Sequence, residues 1–217
     1  MNTLYLVRHG ECETNAQDLV GTRDPSNGLT AKGRLQAAQA GQRLCALGVD
    51  ELYSSTLTRA RQTGEIIGGI IGRPNVALDE FVELDMGVLQ GTPLDEPARK
   101  LLNQLHLDWY DGHHESKAPG GEDYTALWGR FQRGMEQVLA GKEDRRIVII
   151  GHGRLFRSTI FDLCPDAQPD DIVGRRTPNG SISEVHVERH NGHWVGRLVR
   201  WCDGSHLSGA ASEMSPS

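Results

Sequence analysis

Two stretches decide the fold: Leu4-Tyr5-Leu6-Val7-Arg8-His9-Gly10 near the start of the chain and Ile147-Val148-Ile149-Ile150-Gly151-His152-Gly153 in its last third. Each is a short apolar run of strand-forming residues that ends on a histidine followed by glycine. The second run is unbroken and β-branched, which suits a central strand buried on both faces of a sheet. Working outward, Thr30 reads as an N-cap for a helix carrying Leu35, Ala38, Leu44 and Leu47 and closing at Gly48. Residues 49–53 read as a strand ending in Ser54-Ser55, and 57–71 as a helix weakened towards its end by Gly68-Gly69. Val76-Ala77-Leu78 suggests a short strand, 86–91 a turn-rich loop, 93–109 and 122–139 helices, and 111–121 a polar loop punctuated by Pro119-Gly120-Gly121. A helix of about ten residues is expected after Gly153. Residues 181–187 and 193–201, joined at Asn191-Gly192, read as a hairpin. Strand, helix, strand, helix and a late buried strand and helix predict an α/β fold: a three-layer α/β/α sandwich with a mainly parallel central sheet.

Composition narrows the function. The 217 residues carry 23 basic and 29 acidic side chains, a net charge of −6, which disfavours a general nucleic-acid binder. No apolar run approaches the about 20 residues of a membrane-spanning helix, and the first residues lack a basic leader with an apolar stretch. Cys12, Cys45, Cys164 and Cys202 are scattered without a paired motif, so free thiols in a reducing cytoplasm are expected. Residues 1–207 read as a single domain with about 92–122 as a cap insertion, and 208–217, rich in Ser and Ala, as a disordered tail.

In parallel α/β sheets ligands bind at the carboxyl ends of the strands, where Arg8-His9-Gly10 and His152-Gly153 fall. Arginine offers a planar fork suited to phosphate or carboxylate, and histidine serves as nucleophile or base. The wider pattern adds Glu11-Cys12-Glu13-Thr14-Asn15, then Leu29-Thr30-Ala31-Lys32-Gly33, Ser54-Ser55-Thr56-Leu57-Thr58-Arg59-Ala60-Arg61-Gln62-Thr63, Glu83-Leu84-Asp85-Met86-Gly87 and Pro119-Gly120-Gly121-Glu122. In this order and spacing the chain resembles the histidine phosphatase superfamily, the phosphoglycerate-mutase-like proteins, from Leu4 to about Leu207.

The resemblance implies a phosphoglycerate-mutase-like fold and a metal-independent phosphomonoesterase acting through a phosphohistidine on His9, with no cofactor. It implies that Arg8, Arg59 and His152 hold the phosphoryl group, with Asn15, Gly21, Thr22 and Gly153 lining the phosphate or substrate. A turn-stabilising role is weighed equally for Thr14, Gly21 and Thr22. Charge on a phosphoryl group in flight spreads over its oxygens, so catalysis is mostly positioning and electrostatics. Glu83 stands where the family places the acid that protonates the leaving alcohol, with apolar neighbours that favour its proton-bearing form by desolvation; Asp85 ranks second. A protonated His152 would neutralise part of the phosphate charge. Glu122 reads as a helix-opening acid with a supporting role at most, and Asn179-Gly180, which resembles the family's late Asn segment, reads as an ordinary turn.

The chain departs from the family pattern in two places. Gly87-Val88-Leu89-Gln90-Gly91 is nearer the mutase branch than the common G-x-W-E-G form, and Cys12 stands where threonine is usual. Against that, the compact length and an ending of Cys202-Asp203-Gly204-Ser205-His206-Leu207 look like the phosphatase branch. A small phosphorylated metabolite is therefore the expected partner, with no membrane or nucleic acid. Cofactor-dependent phosphoglycerate mutase is the alternative on the same site. A non-catalytic phospho-ligand binder is the distant one, and a homodimer stays open because two-fold dimers are common. His106, His113 and His114, with Asp111 and Glu115, lack the spacing of a metal site; no metal is expected. The 111–121 loop is a candidate cap, with Trp109, Tyr110 and Tyr124 as walls or core.

Overall fold

The two apolar runs lie side by side and supply residues to both faces of one sheet. In the computed structural model, which describes residues 1–172 and 177–213, the first run is β1 (Asn2–Arg8), followed by a one-turn helix α1 (Glu13–Ala16), α2 (Ala31–Cys45), β2 (Glu51–Ser55), α3 (Thr58–Ile71) and β3 (Asn75–Leu78). Then come α4 (Glu96–Tyr110), α5 (Tyr124–Leu139), the second run as β4 (Arg146–Gly151), α6 (Gly153–Leu163), a short α7 (Pro169–Ile172), β5 (Ile182–His190) and β6 (His193–Asp203). The sheet order is β3-β2-β4-β1-β5-β6. The first four of these strands are mutually parallel, whereas β5 runs antiparallel to β1, and β6 to β5.

Period-two alternation then sorts the core. Leu4, Leu6, Ile147 and Ile149 face a larger cluster with α4, α5 and α6; Tyr5, Val7, Val148 and Ile150 face a smaller one with α2 and α3. Both faces of β1 and β4 are thus covered by helices, giving the three-layer α/β/α sandwich. Among the described residues, no helix is long and apolar enough to cross a membrane.

Local chemistry sets the element ends. The Thr30 side chain accepts from Gly33 N at 3.1 Å, while Asp95 and Asp123 cap α4 and α5 in the same way. Asn191 (φ 48°) and Gly192 (φ 84°) take the left-handed conformations of a two-residue hairpin turn between β5 and β6.

Helix α3 runs to Ile71 as expected, through the Gly68-Gly69 pair; a Cβ on Gly68 would lie 2.6 Å from the Arg73 carbonyl oxygen, so the returning chain needs a glycine there. Two expectations change, the start of the helix after Gly121 and the order of the C-terminal tail. The helix after Gly121 starts at Tyr124 behind its Asp123 cap, which leaves Glu122 outside it. Segment 92–122 packs Ala98, Leu102, Leu105 and Trp109 of α4 into the same core as β1 and β4. The tail expected to be disordered forms a 3-10 turn at Gly209–Ser212, held by buried Ala211, whose carbonyl accepts from Gln36 Nε2 at 3.1 Å. Residues 214–217 of that tail lie outside the described residues.

Candidate active site

β1, β4 and the start of α3 deliver their polar ends to one place. His9 follows β1, His152 follows β4 and caps α6, and Arg59 is the second residue of α3. All three are buried, at 3 %, 0 % and 2 % exposure. The His9 and His152 rings lie 5.1 Å apart, centre to centre, at 60°.

The His9 tautomer follows from its partners. Nδ1 sits 2.7 Å from the Gly10 carbonyl, which can only accept, so Nδ1 carries the hydrogen. Arg59 Nε donates to His9 Nε2 at 3.1 Å, which requires a lone pair there. Burial, with the Arg59 and Arg8 guanidinium groups beside it, holds the His9 pKa well below its ordinary value. His9 is therefore a neutral imidazole with a nucleophilic nitrogen next to two arginines.

His152 differs from expectation. Its Nε2 lies 2.9 Å from Ser55 Oγ, and its buried Nδ1 has no partner among the described residues. Burial, then Arg59 and His9, push its pKa well below the usual range, so without a bound anion it is neutral rather than cationic.

Arg8 donates through Nη1 to the Thr177 carbonyl, and its Nε, though buried, has no partner among the described residues. Burial lowers its pKa to about 10. Gly153 packs against it: a Cβ there would lie 3.4 Å from Arg8 Nε. Arg59 Nη1 donates to the Thr22 carbonyl at 2.8 Å, which ties the loop of Gly21 and Thr22 to the nucleophile; the Thr22 hydroxyl instead caps Asp24 N. Asn15 is buried, with Oδ1 accepting from Cys12 N and Asn179 Nδ2.

Glu83 reaches the site from the segment after β3. The apolar surroundings expected for it are not what its carboxylate meets. Oε1 accepts from Leu155 N at 2.8 Å and Leu84 N at 2.9 Å, and Oε2 from Arg154 N at 3.3 Å. Its oxygens thus accept from free backbone N–H groups of the first turn of α6. It also lies close enough to Arg8 and Arg59 to favour their charged forms.

Several contributors escaped the sequence reading. Arg23 Nη2 donates to the Glu83 carbonyl at 2.8 Å and its guanidinium pairs with Asp85 and Glu122 at 3.3 and 3.5 Å. Arg130 grips Glu122 at 2.7 and 3.0 Å and also reaches the Glu83 and Glu80 carbonyls. Gln90, in the departing Gly87–Leu89 turn region, bridges Arg23 N and Asp85 Oδ1. Asp85 and Glu122 thus act through Arg23 and Arg130, which hold the backbone that carries Glu83. Asn179, read as an ordinary turn residue, is buried and donates to the His9 carbonyl at 3.1 Å. The only signal for Asn179 was its likeness to a late family segment. For Arg23, Gln90 and Arg130 there was none, because their partners are distant in sequence.

The other histidines lie elsewhere. His106 is held on α4 by the Leu102 carbonyl and lies 3.3 Å from Ser158 Oγ. The 111–121 loop folds back on its own helices through Trp109 Nε1 to the Ser116 carbonyl and Tyr124 N to the His114 carbonyl. Trp109 and Tyr124 are core residues, while Tyr110 is exposed.

The chain is similar to known proteins in sequence and fold. A profile of the histidine phosphatase superfamily (branch 1) matches residues 4–203. A protein named probable phosphoglycerate mutase GpmB from Erwinia tasmaniensis is 33 % identical over 221 residues, covering 97 % of each chain. Among solved structures, Bacillus stearothermophilus YhfR superposes with a TM-score of 0.75 at 25 % identity, covering 95 % of this chain and 99 % of the other. A phosphoserine phosphatase from Entamoeba histolytica superposes with a TM-score of 0.75 at 21 % identity, over 96 % and 100 % of the two chains, and so shares the fold.

Proposed function

Because the chain belongs to the histidine phosphatase superfamily, whose members transfer phosphoryl groups as phosphatases or mutases, we propose that it hydrolyses a small phosphorylated metabolite through a phosphohistidine on His9. The observation that carries this reading is the His9 tautomer: the Gly10 carbonyl holds Nδ1–H, and Nε2 presents a lone pair between Arg59 and Arg8.

His9 Nε2 attacks phosphorus, the ester bond breaks, and the leaving alkoxide takes a proton from the carboxyl of Glu83. Water then attacks the phosphohistidine, Glu83 receives its proton, and phosphate leaves. Arg8 and Arg59 neutralise the equatorial oxygens throughout. Two atoms unpartnered among the described residues, Arg8 Nε and His152 Nδ1, are donors or proton acceptors suited to an anion arriving between them. Phosphate binding would favour protonation of His152, which supports its expected cationic role in the complex rather than in the free protein. Asn15, Gly21, Thr22 and Gly153 frame the pocket. Its reduced, free cysteines suit a cytoplasmic setting.

Phosphoglycerate mutase is the second reading, favoured by the name of the Erwinia relative. It would return the phosphoryl group to the sugar acid and must keep water from the phosphohistidine. The segment between β3 and α5 offers one full helix, α4, for such a cover, which supports hydrolysis.

A screen of phosphorylated metabolites with EDTA, following free phosphate and the interconversion of the two phosphoglycerates, separates these readings. Phosphate release from one ester supports the phosphatase, isomerisation with little release the mutase, and neither with folded protein a binding role. His9→Ala is expected to abolish turnover and acid-labile labelling by radioactive phosphate; labelling that survives removes His9 as nucleophile.

A further inference from the structure

We propose that Gln36 is a positioning residue for the nucleophile: its side-chain amide sets the plane of the Gly10–Glu11 peptide, whose carbonyl holds the His9 hydrogen on Nδ1 and leaves Nε2 free to attack. The inference rests on the reading of His9 as the phosphoryl acceptor and deepens it.

Gln36 stands out among its neighbours. It lies on the buried face of α2, which it shares with Gly33, Ala37, Ala40, Gly41 and Leu44, and it is 3 % exposed. A primary amide in that setting is costly unless both of its ends are satisfied. Both are. Oε1 accepts from Glu11 N at 2.8 Å, and Nε2 donates to the Ala211 carbonyl at 3.1 Å. One partner can only donate and the other can only accept, so the orientation of the amide is unique.

The contact with Glu11 acts on His9 through one rigid group. The Glu11 N–H and the Gly10 carbonyl belong to the same planar peptide unit, in which they point in opposite directions. An acceptor that fixes the N–H therefore fixes the carbonyl, and that carbonyl lies 2.7 Å from His9 Nδ1. On the other side of Gly10, its own N–H donates to Thr63 Oγ1 at 3.1 Å. Both peptides that flank Gly10 are thus restrained. The hydrogen bonds also run in series, from His9 Nδ1–H to Gly10 O and from Glu11 N–H to Gln36 Oε1. Each polarises the next, which strengthens the hold on the imidazole hydrogen. The C-terminal turn anchors the far end of the series through Ala211, and Ser208 N pins that turn to α2 by donating to Gln39 Oε1 at 2.8 Å.

Nitrogen-15 spectra of histidine-labelled protein test this without turnover, because they report which ring nitrogen of His9 carries the hydrogen. The wild type would be compared with Q36M, which keeps the length of the side chain and removes both contacts, and with Q36E, which keeps an acceptor for Glu11 N–H; thermal melts check folding. The wild type is expected to carry the hydrogen on Nδ1, and Q36M to show a mixture of the two tautomers. In Q36M, kcat/KM on p-nitrophenyl phosphate is expected to fall about ten- to a hundredfold, the scale of one buried polar group left unpaired, while the inhibition constant of inorganic phosphate moves less than about threefold, because Arg8 and Arg59 stay in place. Q36E is expected to keep the Nδ1 hydrogen and recover most of the rate. A wild-type tautomer in Q36M, a mixture in Q36E, or a change in rate or tautomer without the other assigns Gln36 to packing alone and overturns the proposal. Where Q36M does not fold, the tautomer of Q36E decides. A tautomer that depends on Gln36 in a protein that neither turns over nor takes up phosphate overturns the phosphoryl-transfer reading and leaves the hold on His9 intact.

Discussion

A single carbonyl decides what His9 can do. Gly10 O fixes the hydrogen on Nδ1, so the nitrogen facing the arginines is the one free to attack. Arg59 both donates to that nitrogen and is buried, so its loss removes a preorganised charge. Arg59→Ala is expected to cost about 3–4 kcal/mol of transition-state stabilisation, read as kcat/KM on p-nitrophenyl phosphate. Wild-type rates would take Arg59 out of the site. Glu83→Gln should slow alkyl phosphates far more than p-nitrophenyl phosphate, since only a poor leaving group needs a proton; equal losses on both would end its assignment as the acid. The residues visible in the sequence were those beside glycines at strand ends, His9 and His152, and Arg59 in its quoted motif. Arg23 contacts the Glu83 carbonyl across 60 positions and Asn179 the His9 carbonyl across 170, and no local pattern announces such pairs.

At the scale of elements, the site is where three ends meet: β1, β4 with the N-terminus of α6, and the first turn of α3. The unbroken apolar runs, the second of them β-branched, were enough to predict a sheet covered on both faces. The strand order and the antiparallel attachment of β5 beside β1 were not legible, because pairing partners depend on which edges the crossovers leave open. The first turn of α2 touches the nucleophile loop so closely that a Cβ on Gly33 would lie 2.0 Å from the Glu11 carbonyl oxygen. Gly33→Ala is therefore expected to destabilise the fold by about 1–3 kcal/mol, as overpacking does, and to lower kcat because the His9–Gly10 segment must move. Denaturant melts and p-nitrophenyl phosphate turnover check both; a variant of unchanged stability would show that this contact yields freely.

For the whole molecule, two buried neutral histidines couple the site to stability. The folded-state pKa values of His9 and His152 are both depressed, so below about pH 6.5 the unfolded chain binds protons that the folded chain refuses. Stability is then fully present above about pH 6.5 and falls as the pH drops, by about 1.4 kcal/mol per pH unit for each of the two. Urea melts in phosphate-free buffer below about pH 6.5 should show the slope, to which His106 and His206, also depressed by burial, add, and His152→Asn should remove part of it; a flat profile would mean the histidines titrate alike in both states. The sheet order has a consequence for how the protein is made. Of the six strands β1 is made before the others, and it is flanked by β4 and β5, whose pairing segments begin at Arg146 and Ile182. At about 5–20 residues per second, β1 waits roughly 10–35 s for its second neighbour. Until β4 emerges, Leu4, Leu6 and Val7 have no neighbouring strand, so the nascent chain is an early client for chaperones, and the nucleophile is held in its final place only once β4 and β5 have both been made.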